Sequence, residues 1–237
     1  MSNSYFQFKQ FTISQEKCAM KVCTDACIFG ASIETNGADS ILDIGTGTGL
    51  LSLMMAQRTK AHITAVEIDI GAFEQACENV EKSPWSENIS VVHTDIQTFS
   101  ENNKAKFDLI VSNPPFFENS LKSVNRLKNA AKHSESLSFD ELAFSINNLL
   151  AENGKCYILL PEYEAVIFEK TMNLHQLFVS SRLIIRQKEQ GKVFRIVNQF
   201  KRKVEYPPPA SEMDIHQLDN SYSNAFKDLL MNYYLGL

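Results

Sequence analysis

Short apolar runs alternate with helical patterns along most of this chain, and that alternation limits the folds it can adopt. The apolar runs predict strands at residues 41–44, 62–68, 89–93, 107–112 and 156–160. Helical spacing of apolar residues predicts helices between them, one of which begins at a capping box of Ser138 and Glu141 and should end at Gly154. Because parallel strands need crossover helices, the pattern indicates an α/β fold with a doubly wound, mostly parallel sheet covered on both faces.

Two further β-rich runs, residues 178–185 and 193–200, follow the alternating region, and residues 1–38 precede it. The early segment has strand-like alternation but no linker composition. A chain of 237 residues is long enough to bury one sizeable core. We therefore expect a single domain over residues 1–237, with residues 1–38 as an N-terminal extension and residues 39–237 as the catalytic core.

Composition argues against several classes of protein. The chain has no apolar stretch near the roughly 18 residues of a membrane span, and its first residues do not resemble a signal peptide. Its five cysteines are odd in number and scattered, which suits reduced thiols better than disulfides or a zinc site. We expect a cytoplasmic monomer with no membrane attachment and no bound metal.

A glycine-rich loop follows the first predicted strand of the core. It reads Asp-Ile-Gly-Thr-Gly-Thr-Gly and contains Asp43, Gly45, Gly47 and Gly49. Glycines let a backbone turn tightly and approach a ligand. The dinucleotide fingerprint would need glycine or alanine at Leu50, and the lysine of a phosphate-binding P-loop is absent, so neither of those sites is predicted.

Acidic residues stand at the ends of the next two predicted strands. Glu67 lies near the distance from the first glycine at which an acid reaches ribose hydroxyls, and Asp95 follows the third strand. In a doubly wound sheet, ligands bind at the carboxyl ends of the strands. The glycine loop and the two acids therefore predict a groove for a ligand that contains adenosine.

The fourth predicted strand ends in Asn113-Pro114-Pro115-Phe116. An asparagine amide and a carbonyl on a proline-stiffened backbone offer hydrogen-bond acceptors, and the phenylalanine offers a stacking surface. Alone, this tetrapeptide fits a rigid turn with a buried aromatic residue equally well. One strand beyond the predicted groove, it indicates a substrate site.

Two segments concentrate positive charge in a chain whose net charge is −5. Residues 182–203 hold eight basic residues against one acid, and residues 118–132 hold four against one. Such clusters can bind a polyanion, although the solvated face of a strand or helix gives the same pattern. The candidate contacts to a polyanion are Lys122, Arg126, Lys132, Lys201, Arg202 and Lys203.

The glycine loop, Glu67, Asp95 and the Asn113–Phe116 tetrad together resemble class I S-adenosylmethionine-dependent methyltransferases that modify planar nitrogens. Residues 6–11, 20–26, 83–85 and 232–235 are similar to the bacterial tRNA(Val) adenine-37 N6-methyltransferase family. The resemblance spans nearly the whole chain and departs at Cys23, where the family pattern has glycine.

This resemblance implies a fold, a cofactor, a partner and a set of residue roles. The fold would be a Rossmann-like sheet of seven strands whose last strand is antiparallel, the cofactor S-adenosylmethionine and the partner tRNA. The glycine loop with Asp43 would hold the methionyl end, Glu67 the ribose hydroxyls and Asp95 the adenine amine. Asn113 and the carbonyl of Pro114 would accept hydrogen bonds from the amine of the target adenine, and Phe116 would stack on the base.

Three alternatives stay open. Ribosomal RNA guanine-N2 methyltransferases share the Asn-Pro-Pro-Phe step but commonly carry a duplicated domain before the catalytic one, whereas only about 38 residues precede the core here. Release-factor glutamine methyltransferases share Asn-Pro-Pro but typically continue with tyrosine. A non-catalytic RNA-binding protein on the same fold would have no chemical reason to retain Asp43, Glu67, Asp95 and Asn113 together.

Overall fold

A sheet of eight strands lies at the centre of the computed structural model, which describes residues 3–18, 20–114 and 137–237. Outside it, β1 (Tyr5–Gln7) and β2 (Thr12–Ser14) form a small antiparallel hairpin. The sheet strands are β3 (Ser40–Ile44), β4 (His62–Glu67), β5 (Ile89–His93), β6 (Phe107–Ser112), β7 (Leu150–Leu160), β8 (Phe178–Lys188), β9 (Val193–Lys201) and β10 (Ala210–His216). Their order across the sheet is β10-β8-β9-β7-β6-β3-β4-β5.

The direction of the strands confirms the predicted fold class. Strands β3 to β9 correspond to the predicted runs, and β9, the last of them, is antiparallel to both β7 and β8. Strand β10 extends the sheet by one strand and pairs parallel to β8 at its edge. Only Met213 and Ile215 of β10 are buried, so the sequence there had too little apolar alternation to predict a strand.

Helices cover both faces of the sheet. They are α1 (Thr24–Ser32), α2 (Leu50–Ala56), α3 (Ile70–Glu81), α4 (Ile96–Asn102), α5 (Phe139–Leu149), α6 (Glu162–Leu174) and α7 (Asn224–Leu230), with a 3-10 turn at Ser86–Asn88. Successive strand residues enter opposite cores: Ile41 packs in one apolar cluster and Leu42 in the other. This period of two explains why the strands read as continuous apolar runs rather than as alternating ones.

The N-terminal extension packs into the first of these two cores. Phe8, Phe11 and Ile13 are buried there together with Tyr233 from the C-terminal tail. The rings of Phe8 and Phe11 stack with their centroids 4.5 Å apart. The backbone amide of Lys9 donates to the carbonyl of Tyr233 at 2.8 Å, so the two ends of the chain are joined.

Gly154 does not end a helix, contrary to the sequence prediction. The predicted capping box at Ser138 and Glu141 is present, but α5 stops at Leu149 and Gly154 lies inside β7. A Cβ atom on Gly154 would stand 2.8 Å from the Leu150 side chain and 3.0 Å from the Phe107 carbonyl oxygen. A side chain at this point would crowd both Leu150 and the backbone of the neighbouring strand, which explains a glycine inside this strand.

Candidate active site

The carboxyl ends of β3, β4, β5 and β6 lie side by side at one edge of the sheet. Glu67 is the last residue of β4, and Asn113 directly follows β6. Ile44 pairs with Val66 on one side and with Ser112 on the other, so these three strands end level. The structure therefore brings Asp43, the glycine loop, Glu67, Asp95 and Asn113 to the same edge.

The glycine loop joins β3 to α2 through left-handed backbone conformations. Gly45, Gly47 and Gly49 have φ angles of +70°, +58° and +82°. Residues with a side chain adopt such angles at a cost, which glycine avoids. The backbone amides of Gly45 and Thr46 donate to the carbonyl of Val66 at 2.9 and 3.1 Å, so the turn is held against the end of β4.

Asp43 is fully buried beneath this loop. Its Oδ2 accepts hydrogen bonds from the hydroxyls of Thr46 at 2.6 Å and Ser52 at 2.7 Å. Its Oδ1 has no hydrogen-bond partner among the described residues. Burial raises the pKa of this carboxyl group to about 6, and the nearby charge of Glu67 adds to the shift. A buried, unsatisfied acceptor under an open glycine backbone fits the polar end of a bound ligand.

Glu67 is fixed between two loops. Its Oε2 accepts a hydrogen bond from the amide of Gly47 at 2.8 Å, and its Oε1 accepts from the amides of Ile68 and Asp69, both at 2.9 Å. A carboxylate has about four lone-pair positions and three are used here, so Oε2 can still accept a hydrogen bond from a ligand hydroxyl group. The side chain of Ile68 is 64% exposed at the same edge, where a flat ligand ring can cover it.

Asp95 follows β5 and begins α4. Its Oδ1 accepts from the amide of Thr98 at 2.7 Å, and this backbone hydrogen bond lowers the pKa of the carboxyl group. Asp95 is therefore held as an ionised acceptor at the carboxyl end of β5. Sequence reasoning missed Ile68, because in Val66-Glu67-Ile68 it reads as one more strand residue; its exposure is a property of the fold.

Asn113 stands at the end of β6 with its side-chain oxygen unsatisfied. Its Oδ1 is buried and has no hydrogen-bond partner within the described ranges. The hydroxyl of Ser112 donates to the carbonyl of Ile44 at 2.9 Å, which ties this strand end to β3. Pro114 is buried. The predictions on Phe116, Lys122, Arg126 and Lys132 fall outside the described residues and stay predictions.

The N-terminal extension also reaches the glycine loop, which sequence reasoning missed. A Cβ atom on Gly47 would lie 3.9 Å from the sulfur of Cys18. The side-chain oxygen of Gln75 on α3 accepts hydrogen bonds from the amides of Glu16 at 3.0 Å and Lys17 at 3.2 Å. The extension therefore borders the groove, and its position depends on long-range contacts with no local sequence signal.

Asn79 on α3 joins the extension to the glycine loop, so its loss should destabilise the fold. Its amide accepts from Ser14 N and donates to the carbonyls of Ser14 and Thr48, all at 2.9 Å. We expect Asn79→Ala to lower the free energy of unfolding by about 2–3 kcal/mol in urea titrations, because buried partners lose their hydrogen bonds. Asn102→Ala removes an exposed amide that donates to the carbonyl of Thr98, and it should change the free energy of unfolding by less than about 0.5 kcal/mol. Equal losses in both variants would contradict this role for Asn79.

The basic residues of segment 182–203 lie at both the amino and the carboxyl ends of the parallel strands, not at one of them. Lys201 at the end of β9 pairs with Phe178 at the start of β8, so Lys201, Arg202 and Lys203 lie at the edge opposite Asn113. Several residues of this segment also form ion pairs with acids distant in sequence, namely Arg182–Glu169 (2.7 Å), Arg186–Glu212 (2.9 Å), Arg195–Asp25 (2.8 Å) and Lys203–Glu152 (3.4 Å). The structure does not place Lys201–Lys203 beside the site, and their contact with RNA stays a prediction.

The part of the chain that the structure describes contains neither a membrane-spanning helix nor a cluster of metal ligands. Within it, no helix is both long and apolar enough to cross a membrane. The same residues contain no cluster of three or more histidine, cysteine, aspartate or glutamate side chains that could hold a metal ion.

Comparisons with known proteins agree with this geometry. Residues 20–138 match the methyltransferase small domain family. The tRNA1(Val) (adenine(37)-N6)-methyltransferase of Dyadobacter fermentans is 43% identical over 98% of both chains, and that of Cytophaga hutchinsonii is 42% identical over the full length of both. Among solved structures, a predicted O-methyltransferase from Agrobacterium tumefaciens superposes with a TM-score of 0.63 at 15% identity, covering 87% of this chain and 95% of that one. The last likeness shows the fold alone.

Proposed function

Since the chain belongs to the tRNA1(Val) (adenine(37)-N6)-methyltransferase family, we propose that it methylates N6 of adenine 37, the adenine 3′ of the anticodon, in valine tRNA. The observation that carries this proposal is the unsatisfied Oδ1 of Asn113 beside the groove formed by the glycine loop and Glu67. Within the described ranges this amide oxygen accepts from no donor, and it lies at the end of the strand next to the glycine loop, which suits the amine of a second ligand.

The residues of the groove fit S-adenosylmethionine. When bound, this cofactor supplies a methyl group on a positively charged sulfur. The glycine loop with Asp43 would hold the methionyl end, since the orphaned Oδ1 of Asp43 calls for a donor. Glu67 would accept the ribose hydroxyls, and Asp95 the adenine amine, because both carboxylates keep free lone pairs.

Asn113 and Pro114 would orient the target amine. The lone pair of an exocyclic adenine amine is delocalised into the ring, which makes the nitrogen a poor nucleophile. Hydrogen bonds from its two hydrogens to Asn113 Oδ1 and the Pro114 carbonyl favour a pyramidal nitrogen whose lone pair can face the methyl group. Positioning and preorganised dipoles then supply most of the rate enhancement. Phe116 would stack on the adenine after it leaves its neighbours.

Cofactor affinity should fall at acidic pH because of Asp43. The pKa of this carboxyl group is raised to about 6, so the ionised form that attracts a cation is lost as pH falls through that value. We expect S-adenosylmethionine to bind about tenfold more weakly at pH 5 than at pH 7.5. Binding at pH 6 should release protons, since a cationic ligand favours the ionised form. Calorimetry in buffers of different ionisation enthalpy measures both effects, and Asp43→Asn should flatten the pH profile. A wild-type affinity that does not change over this range would contradict the assignment.

The reaction itself can be tested with unmodified tRNA. We expect mass spectrometry of the anticodon-loop fragment of valine tRNA to show one added methyl group only when both enzyme and S-adenosylmethionine are present. Label that appears instead in ribosomal RNA or in a release factor would favour one of the alternative substrates. Binding of RNA without any methyl transfer would favour the non-catalytic alternative.

We further propose that residues 1–237 act as one methyltransferase domain, monomeric and working in the cytoplasm, where tRNA is modified. The packing of Phe8, Phe11 and Ile13 into the same core as the sheet supports the single domain. Light scattering of the purified protein, alone and with tRNA, measures its oligomeric state. A dimer in both conditions would overturn the monomer proposal without affecting the proposed reaction.

A further inference from the structure

His93 joins the end of β5 to the loop that follows β4. It is exposed, and it pairs in register with Glu67. Its Nε2 lies 3.0 Å from the carbonyl oxygen of Ile68. Because a carbonyl oxygen only accepts, Nε2 carries the proton and donates. The side chain of His93 therefore holds the backbone at the residue directly after Glu67.

The imidazole of His93 is itself supported from α3. It stacks on the ring of Phe73 with centroids 5.1 Å apart and an interplanar angle of 29°. A backbone hydrogen bond from Thr94 to the carbonyl of Glu67, 3.0 Å long, fixes the same two strand ends. The imidazole thus has a defined position although it is exposed.

The backbone that His93 holds carries groups of the proposed cofactor site. The amide of Ile68 donates to Oε1 of Glu67, and Ile68 is 64% exposed directly after the end of β4. The carbonyl carbon, the amide nitrogen and the side chain of Ile68 are all bonded to one Cα atom, so we expect a backbone shift at this carbonyl to displace the other two groups. The Glu67 carboxylate, proposed to accept the ribose hydroxyls, and the exposed Ile68 side chain would then both be displaced.

We propose that His93 is a positioning residue for the nucleoside end of the cofactor site. Its Nε2–H, backed by Phe73, fixes Ile68 so that Glu67 and the Ile68 side chain receive the ribose and the adenine ring. This inference rests on the proposed function, because it assumes that the groove takes an adenosine-containing cofactor. It adds a residue that acts through Ile68 and contacts no reacting atom.

The test compares His93 with a second exposed histidine. His62 begins β4 at the opposite edge of the sheet, where its Nε2 lies 3.2 Å from the hydroxyl of Ser90. His62→Ala is therefore a matched control that removes the same side chain far from the groove. His93→Gln keeps a nitrogen donor near the position of Nε2, whereas the shorter side chain of His93→Asn does not.

We expect His93→Ala to raise the Kd for S-adenosylhomocysteine and for methylthioadenosine by the same factor, about two- to tenfold, in calorimetric titrations. Methylthioadenosine lacks the amino-acid end, so an equal change places the defect at the nucleoside. The KM for S-adenosylmethionine should rise, whereas kcat at saturating cofactor and the KM for tRNA should stay unchanged. His93→Gln should restore the affinity, whereas His93→Asn should bind as weakly as His93→Ala. The control His62→Ala should bind as tightly as wild type.

Wild-type affinity for both nucleosides in His93→Ala would overturn the inference while leaving the proposed reaction intact. An equal loss in His62→Ala, or a loss of kcat with unchanged affinity, would also overturn it. If the wild-type protein binds neither nucleoside, the proposed cofactor is wrong and the inference falls with it.

Discussion

Asn113→Ala should lower kcat by about a hundredfold or more while the Kd for S-adenosylmethionine stays within about twofold of wild type. Removal of one preorganised hydrogen-bonding group from a transition state has effects of this size. The cofactor should still bind, because its proposed partners lie at the carboxyl ends of β3, β4 and β5, whereas Asn113 follows β6. Single-turnover methylation of valine tRNA gives the rate, and calorimetry gives the affinity.

Two results would show that Asn113 is only a turn residue. The first is a variant as active as wild type. The second is a loss of cofactor affinity as large as the loss of rate, which would indicate local misfolding rather than missing chemistry. Asn102→Ala serves as the control, since this exposed asparagine lies in α4 and donates to the carbonyl of Thr98 one turn earlier.

Glu67→Ala should weaken S-adenosylmethionine binding by about a hundredfold. A hydrogen bond to a charged group contributes about 1.5–3 kcal/mol, so the loss of the ribose bonds alone accounts for a change of this order. Glu67 also accepts from the amides of Gly47, Ile68 and Asp69, so its removal loosens both loops that border the groove. Glu67→Gln keeps one acceptor oxygen and should lose less affinity.

The control for Glu67 is Glu87, an exposed acid in the turn before β5, at the opposite edge of the sheet. Glu87→Ala makes the same change in charge and should leave the Kd unchanged. Thermal denaturation of both variants separates loss of binding from loss of folding. A folded Glu67→Ala variant that binds the cofactor as tightly as wild type would remove Glu67 from the site.

Local sequence patterns predicted the frame of this protein correctly. The apolar runs of β3 to β9 and the capping box of α5 depend on neighbouring residues, whose spacing follows the geometry of strands and helix ends. The same holds for the glycine loop, whose left-handed angles favour glycine wherever the chain turns in this way. Asp43, Glu67, Asp95 and Asn113 were predicted to lie together because parallel strands all end at one edge, and the structure places them there.

Interactions between distant segments decided the rest. The count of charges along residues 182–203 added together residues at opposite ends of β9, a strand of nine residues that spans about 30 Å. It also left out the acids that form ion pairs with some of these residues, because those acids lie outside the segment. His93, Cys18 and Ile68 have no motif; their places beside Glu67 come from the register of β4 with β5 and from the extension on α3. The sequence alone predicts which loops carry chemistry, because those signals are local. Only the tertiary structure decided which side chains support them, because such contacts join residues far apart in the chain.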